Sequence, residues 1–390
     1  MQPNFENTAT AFELKSDSQL ERAYFLFRMI ANEPLVRIGT AVTNFAIKAH
    51  LPVEGLIRAT VFDHFCGGVN EEDCLPIIDN MYSKGVYSIL DYSAEGKEAD
   101  NQFDFTMEKT LEILDFVKEK DAMPFAVFKP TGLGRFKLFE KVTAGSHLSE
   151  SEQAEWSRIV NRFEKVCQKA YDLDVALLID AEESWMQDAA DDLVLDLMRK
   201  YNKKKAVVFN TFQMYRWDRM EYIEKLYKMA TEEDFKIGAK IVRGAYMEKE
   251  NDRANENGYE SPICKSKKET DENFDASIDY MMDRLDRFTI FSGTHNEQSC
   301  FKLIGLMQEQ NISPNDNSIW FGQLFGMSDH ITYNLAAEGY NSVKYVPYGP
   351  VRDVMPYLIR RAEENTSVAG QTSRELALLQ KERKRRKLGV

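Results

Sequence analysis

No stretch of this 390-residue sequence stays apolar for the roughly 20 residues that a membrane helix needs, so the sequence offers no spanning segment. Cysteine is scarce: Cys66, Cys74, Cys167, Cys264 and Cys300 are odd in number, scattered, and form no CxxC pair. That excludes a disulfide framework and a cysteine zinc site, and fits a reducing compartment. Basic charge is in deficit, with 50 Lys and Arg against 63 Asp and Glu. Nucleic acid is therefore not an expected partner, because binding it rests on a basic surface. The first residues, "MQPNFENTATAFELKSDSQLERAYFLF", carry neither the apolar core of a secretion signal nor the arginine-rich face of a mitochondrial presequence. The expectation is a cytoplasmic protein. One basic run interrupts the acidic chain, "KERKRRKLGV" at 381–390; it reads as a solvated helix end or, in the sharper alternative, as a peripheral contact at the inner face of a membrane.

What is present suits a large folded core, since 43% of residues are hydrophobic and 12% aromatic. From about residue 18 to 84 the pattern is helical, broken at "GGVNEEDCLP". Beyond that, strand-length apolar runs alternate with amphipathic stretches. The runs are "YSILDY" (87–92), "PFAVFK" (124–129), "VALLIDAE" (175–182), "AVVFNTF" (206–212), "IGAKIVRGAY" (237–246), "FTIFSGTH" (288–295), "IWFGQLFG" (319–326) and "NSVKYVPYG" (341–349). Eight strands alternating with helices predict an α/β (βα)8 barrel of the TIM-like kind with a helical N-terminal arm. One helical stretch carries a stripe of Trp156, Ile159, Val160, Phe163, Val166, Cys167 and Ala170, read as core packing. The polar stretch 247–275 reads as a loop excursion. The expected divisions are an arm at 1–85, a barrel at 86–370 and a basic tail at 371–390.

In such a barrel the C-terminal ends of the strands hold the site. Those ends carry Lys129, Asp180, Asn210, Gln213, Arg243, Tyr246, His295, Asn296, Gln323 and Tyr345, a set of polar groups that core packing does not require. By spacing alone, Lys129 and Asp180 would be a structural ion pair across neighbouring strands, and His295 a core histidine. "TGLGRF" at 131–136 lacks the third glycine of a dinucleotide loop, and GxxxxGK[ST], HExxH and GxSxG are all missing. Phosphoryl transfer, metal hydrolysis and serine hydrolysis lose their usual signatures, and no metal is expected. The cations Lys129, Arg243, Arg360 and Arg361 instead suggest an anionic ligand. The paired arginines of "YLIRRAEEN" at 357–365 have two readings: helical ion pairs with Glu363 and Glu364, or a planar clamp for a carboxylate.

"IDAEES", "VFNTFQ", "AKIVRGAY", "GTHN", "FGQLFGM" and "KYVPYGPVRDVMPYLIRRAEENTS" occur in order, and together they resemble proline dehydrogenase from about residue 86 to 380. The resemblance implies a distorted, FAD-dependent (βα)8 barrel with its last helix over the barrel mouth. It implies oxidation of L-proline to 1-pyrroline-5-carboxylate by hydride transfer to flavin N5, with electrons passed to a quinone. Carried over by motif, Arg360, Arg361 and Lys129 would grip the substrate carboxylate, with Glu364 and Glu95 supporting the arginines. Tyr246, Tyr345 and Leu324 would wall the ring, with Asp180 in the adjoining polar network. The flavin positions would be Asn210, Gln213, Lys240, Val242, Gly244, Ala245, Thr294, His295, Asn296 and Gln323. Lys240 stands where bacterial bifunctional members commonly have arginine, which changes the hydrogen bonding there. The alternative is hydroxyproline dehydrogenase of the same fold, against which Tyr345 argues. A barrel that has lost catalysis and only binds is the reading from another class; no expected polar position has become apolar to support it.

Overall fold

A computed structural model describes residues 2–31, 54–92, 99–367 and 371–388. Its strands are β1 (Val86–Tyr92), β2 (Phe125–Phe128), β3 (Ala176–Ile179), β4 (Val208–Gln213), β5 (Ile237–Val242), β6 (Phe288–Gly293), β7 (Ile319–Leu324) and β8 (Ser342–Tyr348). All eight apolar runs are strands. They form one sheet in the order β1-β8-β7-β6-β5-β4-β3-β2, with parallel pairing of β1 with β8 and through β2 to β7. Helices intervene between successive strands, and the fold is the expected (βα)8 barrel.

By its contacts the chain divides into two compact units, residues 1–95 with 323–390, and residues 96–322. In the second unit the strand side chains are buried nearly throughout: β4 is buried along its whole length and β5 at five of six positions. A strand covered on both faces reads as a continuous apolar run, which is why these segments showed no alternation. Phe125 lies edge-on to Phe209, Phe291 and Trp320, at centroid separations of 5.7, 5.4 and 5.0 Å. The helix Glu150–Leu173 starts on a capping box between Ser149 and Glu152, a pattern visible in the sequence as Ser-x-x-Glu. Its stripe holds at Ile159, Phe163, Val166, Cys167 and Ala170. Val160 is a correction, since it is 39% exposed. Arg162 takes the inward position instead, bonded to Asp104 at 2.8 Å and Asp100 at 2.9 Å.

The polar stretch 247–275 is a second correction. It forms the helix Met247–Asn257 and the first half of Lys267–Met282. The first buries only Glu250 and Ala254, so helix-favouring Glu, Lys and Ala residues produced a helix with no apolar stripe to announce it. The second is capped by Ser266, whose hydroxyl accepts from Glu269 N, and its stripe of Phe274, Ile278 and Met281 falls late.

The first unit holds the helices Asp17–Ile30, Glu71–Tyr82, Asp329–Ala337, Val351–Ser367 and Gln371–Arg385 around β1 and β8. The break "GGVNEEDCLP" is a helix start: Asn70 caps Glu71–Tyr82 through Asp73 N at 2.8 Å. The basic tail is engaged internally. Arg383 bonds Glu21 at 2.6 Å, Arg385 bonds Glu382 at 2.7 Å, and Arg386 bonds Glu382 at 2.7 Å and Asp17 at 3.0 Å. No helix among the described residues is long and apolar enough to cross a membrane.

Candidate functional site

Within residues 96–322, Lys129 and Asp180, which follow β2 and β3, come together with Lys240 inside β5. Lys240 Nζ donates to Asp180 Oδ1 at 2.6 Å, and Lys129 Nζ lies 3.8 Å from Asp180 Oδ2. Lys240 is only 6% exposed, and an ammonium so far from water needs a counter-ion. The ion pair expected between Lys129 and Asp180 therefore exists, with Lys240 as the nearer cation.

The side-chain amides of β4, Asn210 within the strand and Gln213 at its end, both have partners. Asn210 Nδ2 donates to Asp191 Oδ1 at 3.0 Å, and Gln213 Nε2 donates to the Glu182 carbonyl at 2.6 Å. Asp191 also accepts from Gln187 at 2.8 Å and from Arg219 NH1 at 2.8 Å. Gln187, Asp191 and Arg219 were not foreseen, because they lie on the helices Ser184–Tyr201 and Arg219–Glu232 and not at strand ends. The available signal was a polar interruption in an apolar face: Asp191 stands three residues before Val194 and seven before Met198, both buried.

At the ends of β5 and β6 the guanidinium of Arg243 is fixed on three sides. It donates to Asp271 at 2.7 Å, to Thr294 Oγ1 at 2.7 Å and to Ser299 Oγ at 3.0 Å, and lies over the Phe274 ring at 4.4 Å. Asn296 caps the helix Glu297–Glu309, accepting from Gln298 N and Ser299 N. The positive end of that helix dipole thus shares its surroundings with Arg243. His295 between them is half-buried. Val242 is half-buried, while Gly244 and Ala245 are exposed. Gly244 has φ +131°, and a Cβ there would meet the Tyr215 ring at 2.6 Å, so only glycine fits. Tyr246 is half-buried, with Lys249 Nζ over its ring at 5.6 Å.

In the other unit, Gln323 is buried and accepts from Thr332 Oγ1 at 2.8 Å. Leu324 packs against a cluster that includes Phe65, Met327, Val354 and Leu358. Tyr345 is buried in β8, where its carbonyl accepts from Phe325 N at 2.8 Å. Beside it, the buried Lys344 donates to the Leu324 carbonyl at 3.3 Å and pairs with Asp329 at 2.9 Å. Burial lowers the Lys344 pKa while Asp329 opposes the shift. The helix Val351–Ser367 buries Val354, Met355, Tyr357 and Leu358 in the same cluster as Leu26, Ile30 and Phe62. Its anchored face positions Arg360, half-buried, and Arg361, 9% exposed and 5.3 Å over the Tyr357 ring. Glu364 lies on that helix with its side chain outside the described residues, as is that of Glu363, and Glu95 lies outside them altogether.

The family model described as "Proline dehydrogenase" matches residues 74–374. The chain belongs to the proline dehydrogenase family. It is 37% identical over 354 residues to the carbapenem antibiotics biosynthesis protein CarD of Pectobacterium carotovorum subsp. carotovorum, covering 90% of this chain and 92% of that protein. Against the human mitochondrial proline dehydrogenase 1 it is 38% identical over 237 residues, 60% of this chain and 40% of that protein. It therefore spans less than half of the human relative. Among solved structures, proline utilization A from Bdellovibrio bacteriovorus superposes with a TM-score of 0.70 at 18% identity, over 92% of this chain and 38% of that one. At that identity the likeness establishes the shared fold.

Proposed function

We propose that this chain is an FAD-dependent enzyme that oxidises L-proline to 1-pyrroline-5-carboxylate and hands the electrons to a quinone. The family match across residues 74–374 carries this reading. The donor set fits an anionic dinucleotide. Lys240 and Arg243 are cations on one strand and its loop, the Glu297–Glu309 helix presents its N-terminus beside Arg243, and Gly244 and Ala245 next in the loop are exposed. When bound, FAD supplies a two-electron acceptor for hydride. Asn210, Gln213, Lys240 and Val242 would hold it from β4 and β5. Gly244, Ala245, Thr294, His295, Asn296 and Gln323 would hold it from the following loops and from β7.

The remaining residues act on the substrate. Arg360 and Arg361 clamp the carboxylate with parallel hydrogen bonds, which fix orientation as well as charge. Lys129 adds a third cation, and Asp180 keeps two neighbouring ammonium groups from repelling one another. Glu364 and Glu95 support the arginines. Tyr246, Tyr345 and Leu324 wall the apolar ring, so that its carbon beside nitrogen is held in line for transfer. In this reading the arm is 1–85, the catalytic barrel 86–370 and the tail 371–390.

Hydroxyproline dehydrogenase is not favoured: the relative of that name in Xenopus laevis is 28% identical over 412 residues, and a tyrosine at 345, where a small residue would admit a ring hydroxyl, argues for proline. The test is a dye-linked assay with L-proline and trans-4-hydroxyproline, with the cofactor released by acid and identified by mass. The reading expects FAD, 1-pyrroline-5-carboxylate from proline, and weak turnover of the hydroxylated ring that improves in Tyr345→Ser. Preference for hydroxyproline in the wild type would overturn the substrate assignment.

A further inference from the structure

Glu182 lies two residues beyond Asp180, is 6% exposed, and is tied to its surroundings through three of its groups. Its carboxylate accepts from Thr131 N at 2.9 Å and from Thr131 Oγ1 at 2.6 Å. Its main-chain N–H donates to Gln187 at 2.8 Å, and its carbonyl accepts from Gln213 at 2.6 Å. Thr131 is two residues beyond Lys129, in the short helix Pro130–Leu133. One buried residue therefore joins the loop that carries Lys129, through its carboxylate, to the amide that closes β4, through its main-chain carbonyl. A buried carboxylate held only by neutral donors is costly when ionised. Burial accordingly pushes its pKa up to about 7, helped by Glu183, while the Thr131 bonds and Lys129 pull it down.

Lys129 and Lys240 face Asp180, Glu183 is paired with Lys249 at 3.0 Å, and Glu250 accepts from Ser184 N and Oγ, each at 2.6 Å. Burial raises the Glu250 pKa as well. Near the strand ends, Lys129 and Lys240 against Asp180 and an ionised Glu182 leave no net formal charge; with Glu182 protonated, one positive charge remains.

We propose that Glu182 is a positioning residue whose protonation strengthens the pull of the Lys129 cluster on the substrate carboxylate. This rests on the proline reading above and adds a proton-linked control of affinity to it. Linkage requires the converse effect: a bound carboxylate makes Glu182 harder to ionise, and each pKa unit so gained is tenfold in affinity for the protonated enzyme. No proton is consumed by the oxidation itself; the carboxyl only exchanges one with solvent.

The probe is cyclopentanecarboxylate, which has the ring and carboxylate of proline but no amine to titrate. Its Kd for the holoenzyme is measured by isothermal titration between about pH 6 and pH 8.5. The wild type should weaken by about five- to tenfold as pH rises, with its midpoint near neutrality. Glu182→Gln should remain tight and flat across the range. Thr131→Val, which removes one donor to the carboxylate, should move the midpoint upward. Equal pH dependence in wild type and Glu182→Gln, or no binding of the probe by the wild type, overturns the proposal. If Glu182→Gln does not fold, the midpoint in Thr131→Val decides, and an unmoved one overturns it. Bleaching of bound flavin by L-proline, measured on the same wild-type preparation, separates failure of this inference from failure of the proline reading.

Discussion

Asp180 takes one lysine at 2.6 Å and a second at 3.8 Å, and its loss would leave the buried Lys240 without that anion. Breaking a buried ion pair by removing one partner costs about 3–5 kcal/mol. Asp180→Ala should therefore lower the urea midpoint as well as activity, and unchanged stability would show that Lys240 finds another anion at no cost. The arginines act differently, since their helix is anchored by Val354, Met355, Tyr357 and Leu358 on its apolar face. Arg360→Met or Arg361→Met should leave the fold intact and raise the proline KM about 10- to 100-fold. That is the loss of a charged hydrogen bond worth about 1.5–3 kcal/mol. Steady-state kinetics on both variants with normal flavin content checks this; unchanged KM in both would remove them from the carboxylate clamp.

Strands and loops differ in how plainly the sequence announces them. The eight strands were legible because a fully buried strand is a short apolar run between polar segments, as "VFNTFQ" shows. The polar groups at their ends were legible too, because nothing in the core requires Lys129, Asp180 or Asn210. Asp191 was not, since a carboxylate within a helix resembles any solvated residue until the structure shows it 2% exposed and bonded to Gln187, Asn210 and Arg219. The helical parts of 247–275 were hidden for the converse reason, an apolar stripe absent from the first helix and late in the second, and with them Asp271 and Phe274, which fix Arg243. Gly244 was legible only through the resemblance, as a flavin position; its φ of +131° and the nearby Tyr215 ring make the requirement for glycine steric. Gly244→Ala should fold less stably and retain less flavin, measured as the flavin-to-protein absorbance ratio. A full complement of cofactor would show that the loop can rearrange.

Across the whole molecule the displaced pKa values limit stability from two sides. Arg219 and Arg216 hold Asp218 down to about 2 despite its burial, and Lys15 and Lys344 hold Asp329 well below the ordinary range. Carboxyls depressed in this way contribute stability that is present above their unfolded values and is lost as pH falls through the folded ones. Glu182 works in the other direction. Its folded value, raised from 4.5 to about 7, means that the native state binds the extra proton across that window and stability declines as pH rises through it. Urea midpoints measured from about pH 5 to pH 7.5 should show a decline in the wild type that is reduced in Glu182→Gln; equal slopes would show that Glu182 ionises normally.

If this chain binds FAD and reduces it with L-proline, the flavin absorbance must report both. The visible spectrum of the purified protein, supplied with FAD, is recorded before and after anaerobic addition of L-proline. The expected result is a yellow protein whose flavin band is bleached by L-proline. A preparation that stays colourless after reconstitution with FAD, or a flavin band that proline leaves unchanged, would contradict it.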